Sequence, residues 1–305
     1  MEAKIGFIGA GKLGSSLALA MANSGYKINL INSSNNSSSK KLSGILPQCQ
    51  STSKAQEIAD KCELIFITTP DHIINKIVES IKWNKKNTVI HCSGATSLSS
   101  LNSIENFGGK IGAFHPLQTF PQKNLPQNIL QGITFAIDSR SSINDLLKSI
   151  AKKLSCKTIT LDPKDRALYN ASATMACGFI TSIINLSIQM WKDFPGGKEN
   201  ALESLEPLIQ TTFNNIKQIG PVQAYTGPIA RGDVATISSH LEAIIPMKKE
   251  ILDIYTSLCN YGVELGLESG KLNDTEANNI RSMISNYRND LIPKNLNSHE
   301  SKLNS

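Results

Sequence analysis

Two short polar segments of the sequence carry residue types that can transfer a proton and bind a carbonyl compound. HCSGAT at 91–96 contains Ser93, and GAFHPLQ at 112–118 contains His115. Each segment follows a β-branched run, so we predict that both lie at the carboxyl ends of strands, where ligand crevices form. His115 could donate a proton to a developing alkoxide because the ordinary pKa of histidine is near neutrality, although a structural histidine is an equal alternative. Ser93 could bind a substrate carbonyl or carboxylate.

Two further candidates lie in the second half of the chain. Glycines flank Arg231 in TGPIARGD at 226–233, immediately before a predicted helix. Its guanidinium fork fits a substrate carboxylate, and the alternative is an internal contact with Asp233 that shapes the loop. Asn170 begins a polar stripe on an otherwise apolar predicted helix, where we expect it to line the cleft and orient the substrate.

A glycine-rich segment near the start of the chain predicts a dinucleotide site. GAGKLG is a GxGxxG motif between a predicted strand and a predicted helix, the setting in which this motif binds a pyrophosphate. The first glycine permits a tight turn, the second lets the backbone approach the phosphates, and the third allows close packing of helix and strand. Free amides at the helix start complete the site. The predicted cofactor-binding residues of this loop are Gly9, Ala10, Gly11, Lys12, Leu13 and Gly14.

The end of the second predicted strand favours NADP(H) over NAD(H). Enzymes that bind NAD place an acidic residue there for the ribose hydroxyl, whereas this chain has NSSN at 32–35. The hydroxyls of Ser33 and Ser34 can bind a 2′-phosphate, which a carboxylate would repel. Thr69 and Pro70 follow another predicted strand and are expected to contact the same cofactor.

The composition narrows the range of partners. The chain has 305 residues, 40% of them hydrophobic, and a formal net charge of +6 whose basic residues are scattered. This distribution suits a small carboxylate substrate and argues against nucleic acid. The six cysteines form no CxxC pair and no Cys/His group with zinc spacing, so we predict no metal site and a reducing, cytoplasmic location. We expect no apolar stretch that spans a membrane, and the long apolar helices suggest a homodimer.

The order of predicted elements indicates two domains. Short β-branched runs alternate with helical stretches in the first half, which predicts an α/β Rossmann domain with a mainly parallel, doubly wound sheet. Long helical segments follow and predict an all-α C-terminal domain. We place the NADP-binding domain at 1–162, a helical substrate and dimerisation domain at 163–292, and a disordered tail at 293–305. The Ser/Asn-rich stretch 32–41 is expected to be a loop.

Several segments together resemble a family that joins a Rossmann-like domain to a C-terminal helical domain of unknown function. The matching segments run from about residue 4 to about residue 270 and are GFIGAGKLG, TTPD, HCSGATSLSSL, GAFHPLQTF, LYNASA and TGPIARGD. The wider relatives are the 6-phosphogluconate dehydrogenase-like enzymes, which include ketopantoate, pyrroline-carboxylate and prephenate-type reductases and dehydrogenases. One branch to which the chain is similar is that of the PanG-type alternative ketopantoate reductases.

The resemblance implies an NADPH-dependent reductase of a 2-oxo acid, 2-dehydropantoate, in pantothenate and coenzyme A synthesis. His115 would then protonate the carbonyl oxygen and Arg231 would hold the carboxylate. Members often carry a histidine where Asn170 stands, and established ketopantoate reductases use a lysine from this helix, which makes Lys164 an alternative general acid. One rival function is that of another oxidoreductase of the same superfamily, acting on an imine or a β-hydroxyacid. The other is a noncatalytic NADP(H)-binding regulator, and the polar residues at the strand ends argue against this second rival.

Overall fold

The computed structural model describes residues 3–121, 129–139 and 141–290. The predicted disordered tail at 293–305 lies outside the described residues. Within them, a mainly parallel sheet with alternating helices precedes a helical region, so the predicted fold class is confirmed.

Eight strands of the described residues form one sheet in the first compact unit, Met1–Thr181. They are β1 (Ile5–Ile8), β2 (Ile28–Asn32), β3 (Gln50–Thr52), β4 (Leu64–Ile67), β5 (Thr88–His91), β6 (Lys110–Pro116), β7 (Thr134–Ser139) and β8 (Lys157–Thr160). Their order is β3-β2-β1-β4-β5-β6-β7-β8, and all neighbours are parallel except β6 and β7. The carboxyl ends of β1, β4, β5 and β6 therefore lie at one edge, where the strand order reverses between β1 and β4.

Helices cover both faces of this sheet. They are α1 (Lys12–Asn23), α2 (Asn36–Ile45), α3 (Ala55–Lys61), α4 (Asp71–Ser80), α5 (Asn102–Glu105) and α6 (Ser141–Lys153). A parallel sheet that is covered on both sides needs apolar residues on both faces, and every residue of β1 and β4 is buried. One core, which includes Phe66 and Phe114, lies on the side of α1 and α6. The other, which includes Ile67 and Ile111, lies on the side of α3 and α4.

Helix α2 occupies much of a segment that the sequence predicts as a loop. The prediction for 32–41 is wrong beyond Asn35, whose side chain caps the helix by accepting hydrogen bonds from the N–H groups of Ser37 and Ser38 at 3.0 and 3.3 Å. Leu42 then packs into the sheet core. The serine-rich composition concealed this helix because serine and asparagine generally favour caps and turns over helix interiors.

The chain leaves the sheet through a 3₁₀ turn at Pro163–Asp165 and enters α7 (Arg166–Thr174). A π-helical turn then joins α7 to α8 (Ile180–Met190). The first compact unit ends at Thr181, within α8, so the first turns of this helical segment belong to the unit that contains the sheet. The domain boundary at 162 stays a prediction.

The run Pro163–Met190 is long and apolar enough to cross a membrane on length and composition alone. The expectation that the chain has no such stretch is therefore wrong as far as length and composition are concerned. The run has no charged residue beyond its first turn. Its hydroxyls bond to the helix backbone: Thr174 Oγ1 donates to Asn170 O at 3.0 Å, and Thr181 Oγ1 donates to Cys177 O at 3.1 Å. Such bonds let a polar side chain sit on an apolar helix without an external partner.

The second compact unit, Ser182–Ser305, is helical in its described part. Besides the end of α8 it contains α9 (Gly197–Ala224), α10 (Val234–Ile244), α11 (Lys249–Glu268) and α12 (Asp274–Asp290). Helix α9 is interrupted at Gly220, where φ is 79°, directly before Pro221. The core of this unit lies among α10, α11 and α12 and includes the fully buried Leu241 and Val263.

Candidate functional site

The glycine loop connects the end of β1 to α1, as predicted. Gly9 has a φ of 117°, a conformation that residues with side chains rarely adopt, and its N–H donates to Asn32 O at 2.8 Å. The Thr68 hydroxyl, just after β4, donates to Gly9 O at 2.9 Å. These bonds connect the ends of β2, β1 and β4, and so fix the loop at the point where the strand order reverses.

The second and third glycines of the loop answer different requirements. Gly11 has a φ of −77°, which any residue can adopt, and no atom lies within 4 Å of a Cβ placed there. A Cβ on Gly14 would instead lie 2.4 Å from both Gly9 O and Thr68 Oγ1. Internal packing therefore explains the glycine at position 14 but not the one at position 11. The open space at Gly11 fits the close approach of a pyrophosphate to the backbone.

The segment after β2 places hydroxyl groups at the start of a helix. Ser33 is half-buried and Ser34 is exposed, and Asn35, the cap of α2, follows directly. The amino end of a helix favours a negatively charged group. This position is compatible with the predicted contacts of both serines to a 2′-phosphate.

Thr69 and Pro70 follow β4 at the same edge of the sheet. The Oγ1 atom of Thr69 is buried and has no hydrogen-bond partner among the described residues. An unpaired buried hydroxyl costs free energy, so a ligand group that bonded to it would remove that cost. Pro70 is the exposed residue directly before α4.

A second group of polar side chains gathers where β5 and β6 end. The Nδ1 atom of His115 lies 2.8 Å from the Tyr169 hydroxyl, and the two rings are nearly perpendicular at 89°. A Cβ on Gly94 would lie 2.8 Å from His115 Nε2 and 3.1 Å from Asn170 Oδ1. The structure therefore brings the predicted site residues His115 and Asn170 together, beside the loop that contains Ser93.

His115 and Tyr169 are both uncharged near neutral pH. Burial first, and the positive charge of Arg166 second, lower the pKa of His115 from 6.5 to about 4, while Asp71 opposes this shift. Burial raises the pKa of Tyr169 to about 12. His115 thus differs from the sequence-based expectation, which assumed a histidine that titrates near neutrality.

A buried ion pair adjoins this group. The Nη2 atom of Arg166 lies 2.7 Å from Asp138 Oδ2, and the two side chains are only 5% and 7% exposed. The Nη1 atom of Arg166 also donates to Ser93 O at 3.3 Å. One guanidinium therefore links α7 to β7 and to the loop after β5.

The Ser93 hydroxyl is engaged within its own loop. It accepts hydrogen bonds from the N–H groups of Ala95 and Thr96 at 3.2 and 2.8 Å and donates to the Thr96 hydroxyl at 2.9 Å. The Ser93 N–H donates at 3.3 Å to Nδ1 of the buried His91, and burial lowers the pKa of that histidine to about 3. Ser93 thus shapes the loop, and its predicted substrate contact would have to share an oxygen that is already bonded.

Lys164 and Arg231 have different surroundings. Lys164 is 77% exposed, and its Nζ lies 3.4 Å from Asp162 Oδ2, so its ammonium pairs at the surface. Arg231 is exposed at the end of a 3₁₀ turn in the second unit. It forms no ion pair within the described part of the chain. The Asp233 carboxylate accepts hydrogen bonds from the N–H and hydroxyl of Thr236, which lower its pKa, and the charge of Arg231 lowers that pKa further. The Arg231 guanidinium is therefore available to a ligand.

Arg166, Tyr169 and Asp138 were not predicted from the sequence. Arg166, Tyr169 and Asn170 are spaced i, i+3 and i+4, which places them on one face of a helix. Because Asn170 was predicted to line the site, this spacing could have pointed to the other two residues. Asp138 gave no such signal. It faces Ala113 across an antiparallel pairing of β7 with β6, and this strand direction is set by the tertiary fold.

Two known protein families match parts of the chain, and one of the two matches includes the glycine loop. Residues 4–94 match the family described as NADP oxidoreductase coenzyme F420-dependent. Residues 133–261 match the family described as Domain of unknown function (DUF2520). Residues 4–94 are therefore similar to an NADP oxidoreductase domain and residues 133–261 to a DUF2520 domain, and the predicted cofactor, NADP(H), is confirmed. Among curated proteins, none matches the chain in sequence.

Solved structures share the fold over most of the chain. A protein from Bacteroides fragilis named as an NADP oxidoreductase is 25% identical, with a TM-score of 0.71 over 86% of this chain and 98% of its own. A protein from Thermotoga maritima is 20% identical, with a TM-score of 0.68 over 87% of this chain and 98% of its own. A pyrroline carboxylate reductase from Plasmodium falciparum, solved with NADP bound, is 17% identical, with a TM-score of 0.56 over 87% of this chain and 99% of its own.

The two glycines of the loop give a matched pair of variants. Gly11→Val fills the space left for the pyrophosphate without meeting any protein atom, so NADPH binding should be lost while the melting temperature stays near that of the wild type. Gly14→Ala should instead lower the free energy of unfolding by about 1–3 kcal/mol, because its Cβ overlaps Gly9 O and Thr68 Oγ1. Fluorescence titration with NADPH and thermal unfolding measure both effects. Normal NADPH affinity in Gly11→Val would refute the loop assignment.

The position of Ser34 tests the choice between NADP(H) and NAD(H). Ser34→Asp places a carboxylate beside the predicted 2′-phosphate, and like-charge repulsion should weaken NADPH binding by roughly tenfold. NADH binding should stay close to its wild-type value, since NADH has a hydroxyl at that position. Titration calorimetry with both cofactors measures the ratio of affinities. Equal affinities of the wild-type protein for NADPH and NADH would contradict the assignment.

Proposed function

We propose that this protein is an NADPH-dependent reductase of a 2-oxo acid, with 2-dehydropantoate as its substrate in pantothenate and coenzyme A synthesis. The observation that carries the reaction class is the neutral His115–Tyr169 pair beside Gly94. This pair lies at the sheet edge that also holds the glycine loop. A noncatalytic regulator needs a phosphate loop but has no use for a proton donor there. The choice of 2-dehydropantoate rests on the resemblance to PanG-type reductases.

The reaction divides between the cofactor and the protein. The glycine loop and Thr69 would hold NADPH, which would supply a hydride for the carbonyl carbon. The carbonyl oxygen then becomes an alkoxide that needs a proton. The chain supplies the proton. We take the Tyr169 hydroxyl as the donor to Nδ1 of His115, which places the imidazole proton on Nε2, the nitrogen beside Gly94. A neutral imidazole of depressed pKa serves as the electrophile in other enzymes as well.

Proton transfer through the pair leaves the imidazole uncharged. Nε2 of His115 gives its proton to the alkoxide oxygen while Nδ1 takes the phenolic proton of Tyr169. The phenolate then takes that proton back from Nδ1, and Nε2 regains a proton from water. An alkoxide is more basic than a phenolate, so the transfer proceeds toward the alcohol even though burial raises the pKa of Tyr169 to about 12. Asn170, whose Oδ1 borders the same space, orients the carbonyl compound.

Arg231 is the residue proposed to bind the substrate carboxylate. Its guanidinium is exposed and forms no ion pair among the described residues, and the fork geometry matches a carboxylate. Ser93 supports the site through its loop.

The exposed apolar side chains of the helices support a homodimer as part of the proposal. Large hydrophobic residues are exposed on α7, α8 and α9, among them Leu168, Ile183 and Leu208. A second copy of the chain that covered them would remove this apolar surface from water. The proposed assembly is a cytoplasmic homodimer, with neither nucleic acid nor a membrane as a partner.

Reduction of a C=N bond is the second candidate. Proteins of the same fold include an imine reductase from Pseudomonas sp., which is 17% identical with a TM-score of 0.62 over 93% of this chain and 100% of its own. An iminium ion already carries its proton and yields an amine directly on hydride addition, whereas a carbonyl needs a proton for its oxygen. The His115–Tyr169 pair is such a proton source and therefore favours the carbonyl substrate.

The protonation state of His115 sets the pH dependence of turnover. Because its pKa is lowered to about 4, kcat should be level through the ordinary histidine pKa of 6.5 and fall only in acid, where protonated Nδ1 no longer accepts from Tyr169. His115→Ala should lower kcat by about 10²–10⁴-fold with little change in KM, and Tyr169→Phe should lower kcat while NADPH affinity is kept. A kcat that falls as the pH rises through 6.5 would show that the imidazolium is the acid.

The substrate is tested by NADPH oxidation with a panel of 2-oxo acids and cyclic imines. We expect turnover with 2-dehydropantoate and relief of pantothenate dependence in a bacterium that lacks its own ketopantoate reductases. Arg231→Ala should raise KM, since the charged hydrogen bonds to the substrate carboxylate would be lost, and Arg231→Lys should restore it only in part. Turnover of imines alone would replace the carbonyl proposal with the second candidate.

A further inference from the structure

We propose that Arg166 and Asp138 are positioning residues: their buried ion pair holds the first turns of α7 so that Tyr169 and Asn170 reach His115. Neither residue is assigned to substrate or cofactor. The catalytic consequence of the pair rests on the proposed function, whereas its effect on the geometry of His115 does not.

The contacts of Arg166 explain how one side chain places several others. Arg166, Tyr169 and Asn170 lie at i, i+3 and i+4, so fixing the first also fixes the direction in which the other two project. Its two terminal nitrogens bond to different elements, one to Asp138 of β7 and the other to Ser93 O after β5. The Tyr169 hydroxyl thereby meets Nδ1, and the Asn170 amide lies over Gly94.

Asp138 ties the same guanidinium to β7, the strand paired with the one that contains His115. In the antiparallel pairing of β7 with β6, Asp138 faces Ala113, and Ala136 faces His115. The histidine and its tyrosine partner come from different elements, β6 and α7. Arg166 and Asp138 connect α7 to β7 through a contact of 2.7 Å, and β7 is paired with β6, so they set the separation of the proton-transfer pair.

Stability alone does not account for this ion pair. Removing two charges from water costs about as much as their attraction returns, and an apolar pair of similar volume holds two elements together at least as well. The Nε atom of Arg166 is also buried without a hydrogen-bond partner among the described residues, which adds to the cost. The planar guanidinium of arginine directs each hydrogen bond at a defined atom, whereas an apolar pair has no such directional contacts.

The pair also acts on the charge of His115. The groups that face this imidazole are Arg166 and Tyr169 on α7, Asp71 on α4 and the buried neutral His91 on β5. Arg166 disfavours the imidazolium form, and Asp71 favours it. Loss of the Arg166 charge should therefore raise the pKa of His115 toward its ordinary value.

The test uses a double variant, because Arg166→Met alone would leave the Asp138 carboxylate buried and unpaired. Arg166→Met combined with Asp138→Leu removes both charges and keeps apolar volume in their place. We expect kcat to fall by about 100-fold, the scale of a small misplacement of reacting groups, with unchanged NADPH affinity. The acid limb of the kcat profile and the ¹⁵N titration of the His115 imidazole should both move to higher pH.

Arg166→Lys separates position from charge. It keeps the positive charge but cannot reproduce the fork, so kcat should fall while the acid limb stays near its wild-type pH. Arg281→Met is the matched control, because it breaks an Arg–Glu pair of 2.5 Å with Glu264 in the second unit. We expect the control to keep wild-type kcat and the wild-type titration of His115.

Wild-type kcat in Arg166→Lys, or an unshifted His115 titration in a folded double variant, would overturn the proposal. Failure of the double variant to fold leaves the decision to Arg166→Lys, which retains the buried charge and its partner Asp138. The ¹⁵N titration needs no substrate. If the wild-type protein reduced no 2-oxo acid, the proposed function would fail, and the positions of the imidazole signals would still decide whether Arg166 positions His115.

Discussion

A guanidinium that is buried in protein has to be paired, and this requirement determines the arrangement around Arg166. The pairing is possible only where α7 begins close to β7 and to the loop after β5, because the partners are Asp138 and the carbonyl of Ser93. The start of α7 is therefore a fixed part of the sheet unit. The proton-donating pair, the glycine beside it and the amide above it all depend on that placement.

The proposed site transfers a proton without holding a charged histidine. Burial makes an imidazolium expensive at His115, and the nearby Arg166 makes it more so, while the same burial keeps Tyr169 protonated. In such a hydrogen-bonded row the imidazole stays uncharged, and the negative charge of the alkoxide passes to the Tyr169 oxygen until water supplies a proton. The positive charge of Arg166 is then balanced by Asp138 both before and after turnover.

Much of the fold and part of the site could be predicted from the sequence, because both rest on local patterns. Apolar runs mark the strands, the GxGxxG motif marks the cofactor loop, and parallel strands bring residues that follow them, such as His115, to one edge. The protonation state of His115 could not be predicted, since it depends on burial and on Arg166. Helix α2 was hidden by its composition, and Asp138 by the reversal of β7. The register of that strand is a property of the tertiary fold.

The absence of a side chain at Gly94 limits how this protein can change. The restriction is one of space, because any Cβ at this position would meet the imidazole of His115 and the amide of Asn170. Even alanine would displace the ring from its phenol partner. Directed evolution toward new carbonyl compounds should therefore find position 94 closed to every other amino acid. Changes in specificity would have to come from surfaces that do not support the histidine.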